Sequence, residues 1–210
     1  MKQFVVLQTL SYEEFQNNIS EEKERKEQRK KVLEEMKENN LDELQQLEDW
    51  TSLQCKEILF DSTIDNWTKN TSVFDEKVIG KKQLIFLIID KDDEKFGYFM
   101  SQQLTRYNRL INADYNTFEF NLQSNRRLPG PMKFKVKDLK NGGCYLFEKT
   151  HIHRMIQFGN IYLNKQHNTD SYCDDYQIFD YRGIDKALCG KTQFNNPFKP
   201  KRIIVIQMRK

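Results

Sequence analysis

Residues 84–89, Leu-Ile-Phe-Leu-Ile-Ile, form an unbroken apolar run rich in β-branched and aromatic side chains. A run of this length is too short for a helix and reads as a strand buried on both faces. A polar turn at residues 90–95 and a second apolar run at residues 96–100 follow it, which predicts an antiparallel hairpin at the centre of a core. Everything nearby must cover that hairpin. With 210 residues and 38% hydrophobic content, the chain can fill one good core but not two large ones.

The segments around the hairpin divide into a helical arm and a β-rich remainder. Ser20 is a suitable N-cap, Glu21 and Glu22 suit the positive end of a helix dipole, and Glu22/Lys26 and Glu27/Lys31 are acid-before-base pairs four apart. These features predict one helix over residues 20–48. No apolar residue occurs from Glu21 to Lys31, so these turns are expected to be solvated and to fray. Val32, Leu33, Met36, Leu44 and Leu47 then form an apolar stripe. The stripe either packs on the chain's own domain or binds a partner, a second copy in a short coiled coil included.

All eight glycines, all four prolines and 23 of the 26 aromatics lie at or beyond residue 49, which places the globular domain at 49–210 and the arm at 1–48. Short strands are expected near residues 58–60, 117–122, 132–136, 144–148, 155–163, 172–179 and 202–208, separated by turn residues such as Pro129-Gly130-Pro131. Residues 2–10 read as a strand or a loose end. The fold class is therefore α+β, a mainly antiparallel two-sheet β-sandwich with short peripheral helices and an N-terminal charged helix.

Charge and targeting signals bound the functional classes. The net charge of +3 divides into 8 basic against 12 acidic residues (−4) over residues 1–48 and 26 against 19 (+7) beyond. A surplus of this size is below that of a dedicated nucleic-acid domain. No run is long enough to cross a bilayer, and residues 4–7 are too short for a signal-peptide core, so an intracellular, cytoplasmic protein without membrane insertion is expected. The cysteines at 55, 144, 173 and 189 contain no C-x-x-C pair and read as reduced thiols.

Several chemical motifs are incomplete. Gly190-Lys191-Thr192 resembles the end of a phosphate-binding loop, but Asp185 stands where that loop needs its first glycine. Residues 90–94 cluster carboxylates, yet Lys95 and Ser101 occupy the glycine and acid places of a calcium loop, leaving a solvated hairpin turn. His151 and His153 would share a strand face and approach Cys144 or Cys173, without closing a zinc ligand set; His167 lies in a polar loop. No G-x-S-x-G elbow occurs. Arg126, Arg127, Lys133, Lys135 and Lys137 could meet phosphates, although alternation explains the lysines as the exposed face of a strand. Lys199-Pro200-Lys201-Arg202 reads as the solvated entry to the last strand. Catalytic residues, cofactors and metals are not expected.

Taken in order, several segments resemble the TLDc domain. They are Ile58-Leu-Phe-Asp-Ser, Asn70-Thr-Ser-Val-Phe, the hairpin with Phe96-Gly97, Ser124-Asn125 with Met132-Lys133-Phe134, and Cys189-Gly-Lys-Thr-Gln-Phe194 leading to the last strand. The resemblance spans about residues 50–210, in a form similar to the family's divergent protozoan members. Phe158-Gly159-Asn160-Ile161 keeps one glycine of the family's glycine-rich segment. The resemblance implies a β-sandwich without established enzymatic activity, associated with protection against oxidative stress and with binding to the vacuolar proton-pumping ATPase. The expected function is thus a non-enzymatic protein-interaction module; the alternatives are a small hydrolase or stress enzyme with an unrecognised site, or a nucleic-acid-binding protein.

Overall fold

The structure, a computed structural model, describes residues 12–39, 41–166, 171–174, 176–189 and 197–210. The expectations for residues 2–10, for His167 and for Gly190-Lys191-Thr192 lie outside the described residues.

Two helices open the chain, α1 (Tyr12–Asn39) and α2 (Leu41–Thr51). After them come β1 (Gln54–Asp61), the short α3 (Phe74–Val78) and the hairpin β2 (Leu84–Asp90) with β3 (Lys95–Met100). The hairpin pairs antiparallel with Leu87 opposite Gly97, as its sequence predicts. The remaining strands are β4 (Leu110–Ile111), β5 (Phe118–Gln123), β6 (Met132–Lys135), β7 (Cys144–Leu146), β8 (Arg154–Phe158), β9 (Ile161–Asn164), β10 (Tyr172–Cys173) and β11 (Pro200–Arg209). They form a six-stranded sheet ordered β1-β11-β2-β3-β5-β6 and a five-stranded sheet ordered β10-β9-β8-β7-β4. The expected α+β, two-sheet antiparallel class is what the chain adopts.

Local corrections have physical causes. The predicted single helix is two, and Ser20 lies inside α1 instead of capping it. The apolar stretch 155–163 is not one strand, because Gly159, at φ +51°, and Asn160 turn the chain between β8 and β9. Among the described residues of 172–179, ordered pairing stops at Cys173, apart from an isolated bridge at Phe179.

The hairpin run is apolar throughout because the six-stranded sheet is covered twice. Leu84, Phe86 and Ile88 of β2 face the other sheet, with the Phe86 ring stacked on Phe158 at 5.0 Å. Ile85 and Leu87, one residue out of phase, lie in a second apolar layer with Leu33, Met36, Leu44 and Leu47 of the helices. In β11, Ile203 and Val205 join the first layer and Ile204, Ile206 and Met208 the second. Of the two occupants the sequence leaves open for the helical stripe, the structure has the chain's own sheet. Leu33, Met36, Leu44 and Leu47 are buried there, and Val32 is packed at the margin.

The charged turns of α1 also have a partner surface, contrary to the expectation of a solvated segment. Arg29 is 4% exposed and its Nη1 donates to Asp65 Oδ1 at 2.5 Å. Its Nη2 donates to Glu22 at 2.7 Å, and Glu22 in turn accepts from Lys77 of α3. A guanidinium with a long apolar stem fills a place where sequence periodicity registers only charge.

Among the described residues, no helix is long and apolar enough to cross a membrane.

Candidate functional site

The end of α2 is shaped by two local features. The Thr51 hydroxyl donates to the Leu47 carbonyl at 2.8 Å, and Ser52 takes a left-handed conformation, φ +56°, that turns the chain towards β1. This leaves Trp50 half-buried against β5, edge-on to Phe118 at 6.2 Å and tilted over Phe120 at 6.1 Å. Phe120 reaches this position because Gly97, opposite it on β3, has no side chain; a Cβ there would meet the Phe120 ring at 2.8 Å and the Phe86 carbonyl oxygen at 1.9 Å.

Beside Trp50 lies a groove of about 400 Å³. Its walls are the α2–β1 junction, Phe118, the turn carrying Tyr115 and Asn116, and Lys133 and Lys135 of β6, with Lys210 at the rim. Three lysines and no aspartate or glutamate side chain line it. Lys133 and Lys135 lie opposite Phe120 and Phe118 in the register, so alternation brings both to the outer face of the sheet. Lys133 donates to the Trp50 carbonyl at 3.1 Å and its Nζ sits 5.1 Å from the Phe118 ring centroid, a cation–π placement. Burial, and secondarily the Lys135 charge, lowers its pKa. Tyr115 is 85% exposed at the groove's lip.

The acid beside the groove, Asp114, is occupied. Ser101 donates to its Oδ2, as does Gln102 at 3.0 Å, while Oδ1 accepts from Asn116 N and Thr117 Oγ1, each at 3.0 Å. Burial raises its pKa, but the hydrogen bonds from Ser101, Thr117 and Gln102 outweigh that and hold it low. Asp114 therefore shapes the turn that carries Tyr115.

The basic stretch of the sequence thus divides. Lys133 and Lys135 line the groove, whereas Arg127 makes a two-pronged pair with Glu94, at 3.0 and 3.1 Å, and donates to the carbonyls of Lys186 and Leu188. Lys137 pairs with Asp180 at 3.4 Å, and Arg126 is exposed. The 90–94 turn is not simply solvated, since Asp90 and Glu94 are buried and Asp90 Oδ1 accepts from the amides of Asp92 and Glu94.

A second polar cluster lies inside the sandwich. The alternation of residues 117–122 places Glu119 and Asn121 on a solvated face, but both are fully buried. Glu119 Oε1 accepts from Asn160 N at 2.9 Å and Oε2 from the Tyr181 hydroxyl at 2.5 Å, while Asn121 Nδ2 donates to the Leu188 carbonyl at 2.6 Å. Burial outweighs both hydrogen bonds and pushes the Glu119 carboxyl up to about 8. The cluster is enclosed and ties β5 to the turn at Gly159 and to the segment before Cys189.

His151 and His153 precede β8 instead of sharing its face, and His151 Nδ1 accepts from the amides of His153 and Arg154 at 3.2 and 2.9 Å. Burial pushes the Cys55 thiol up to about 12 and raises Cys144 and Cys173 well above the usual range, so these three are not thiolates at neutral pH. Among the described residues no three metal-ligating side chains converge.

Sequence reasoning singles out Lys133 and Lys135 but not Trp50, Tyr115 or Lys210. Those three come from distant segments, and only the β5–β6 pairing and the course of α2 bring them together. No protein-family model matches this chain, and no curated protein matches it.

Proposed function

We propose that the protein is a non-enzymatic interaction module that receives a partner protein in the groove between α2, β5 and β6. The observation that carries this reading is the lining of that groove, in which Trp50, Tyr115 and Phe118 stand beside three lysines and no aspartate or glutamate side chain, on a chain whose basic and acidic residues number 34 to 31 overall. Exposed tyrosine and half-buried tryptophan supply large contact area at little entropic cost, and they are enriched at energetically dominant interface positions. The resemblance to the TLDc domain makes subunits of the vacuolar proton-pumping ATPase, and proteins of the oxidative-stress response, the first partners to assay.

The test is site-specific photo-crosslinking in the native cells, with a photoreactive amino acid replacing Tyr115 in the full chain. Discrete protein adducts that disappear when Lys135 is changed to Glu are the expected outcome. A sample that gives no such adducts, but turns over ester, phosphate or peroxide substrates, would make the protein an enzyme.

A further inference from the structure

Resting on that reading, we infer that the groove selects an acidic peptide segment, in which an aromatic or aliphatic side chain is flanked by carboxylates. The apolar side chain would lie along Trp50 and the Phe118 edge, and the carboxylates would meet Lys133 and Lys135.

Three observations define this ligand. Lys133 and Lys135 stand two residues apart on one strand face, and among the described residues no carboxylate comes within 4 Å of either one. Two neighbouring ammonium groups, one partly desolvated, repel each other, and an anion between them relieves that repulsion. Apart from the lysines the lining is apolar or uncharged polar, with Trp50, Tyr115 and Phe118 beside Ser52, Gln83 and Ser101, which suits a mixed apolar and acidic segment.

The cationic surface is also short. A nucleic-acid strand needs a track of phosphate contacts, but of the basic residues flanking this pair along the chain Arg127 is engaged by Glu94 and Lys137 pairs with Asp180, which leaves the exposed Arg126. The groove cations are lysines, which act as point charges and lack the planar fork that reads phosphates and base edges two bonds at a time. A peptide carrying a few carboxylates around one anchor matches a cluster of this extent.

The experiment measures fluorescence anisotropy of a labelled peptide, Glu-Glu-Phe-Glu-Glu, titrated with the full chain at low salt. Saturable binding is expected, weakened by about tenfold or more in Lys135→Glu and in Lys133→Gln, lost for the Gln-Gln-Phe-Gln-Gln peptide, and unchanged in Lys137→Gln. Lys135 is exposed, so its variant keeps the test valid should Lys133→Gln disturb the fold through its bond to Trp50. The inference is overturned by an absence of saturation, by equal binding of the glutamine peptide, or by a Lys137→Gln loss as large as that of Lys135→Glu. Oligo-deoxythymidine that displaces the peptide and binds more tightly would overturn it in favour of a nucleic acid. Protein adducts from Tyr115 without peptide binding would sink this inference and leave the module reading standing; peptide binding without adducts would do the reverse.

Discussion

Glu119 sits between Phe118 and Phe120 on β5, and its carboxyl meets an amide and a phenol inside the sandwich, with no cation bonded to it among the described residues. The folded chain holds this proton up to about pH 8, whereas the unfolded chain releases it near 4.5, the ordinary value. Between those values the folded state binds more protons, so this group's contribution is full below pH 4.5 and is lost as pH rises towards 8. Glu119→Gln keeps a neutral carboxamide of the same shape, so its unfolding midpoint should lack that decline and should exceed the wild-type midpoint above pH 8. Urea titrations of both proteins across this range check it, and parallel pH profiles would refute it. Nothing local in the sequence marks Glu119 as interior. Its partners Asn160 and Tyr181 are 41 and 62 residues away, and the alternation Phe118-Glu119-Phe120-Asn121 is what a half-solvated strand also shows.

For the elements, the hairpin β2–β3 is legible because six consecutive apolar residues leave few alternatives, and its register follows from the turn. Phe86→Ala should cost about 3–5 kcal/mol, because a fully buried ring that contacts Phe74, Tyr98 and Phe158 leaves a cavity in the middle of the inner layer. A chemical-denaturation midpoint that barely moves would remove that ring from the core. Helix α1 is less legible, since its anchor is an arginine. Asp65, buried with Arg29, also accepts from the Asp61 amide at 2.9 Å, so removing the guanidinium strands a carboxylate inside the protein. Arg29→Ala should therefore cost about 3–5 kcal/mol, the usual penalty for breaking a buried pair, and should open residues 21–31 to limited proteolysis. In the wild type the same residues should resist, and cleavage there at equal rates in both proteins would show that the pair does not hold the helix.

The whole molecule has three layers: helices, a six-stranded sheet and a five-stranded sheet. The two-sheet class is readable from strand count and turn spacing. That the helices form the third layer is implicit in the unbroken runs of β2 and β11, each of which needs an apolar cover on both faces. A chain starting at residue 52 would expose Ile85, Leu87, Ile204, Ile206 and Met208 together, and it should be recovered as aggregate instead of as a folded sandwich. A soluble, cooperatively melting fragment would show that the outer layer is dispensable. The position of β11 has a further consequence, during synthesis. It lies between β1 and β2, which precede it by more than a hundred residues, so a ribosome adding about 5–20 residues per second leaves both edges unpaired for on the order of ten seconds. The nascent chain must pass through that interval with β1 unpaired and with β2 covered by β3 on one side only. That makes it a client for holding chaperones, and sensitive to translation speed across the stretch from β3 to β10.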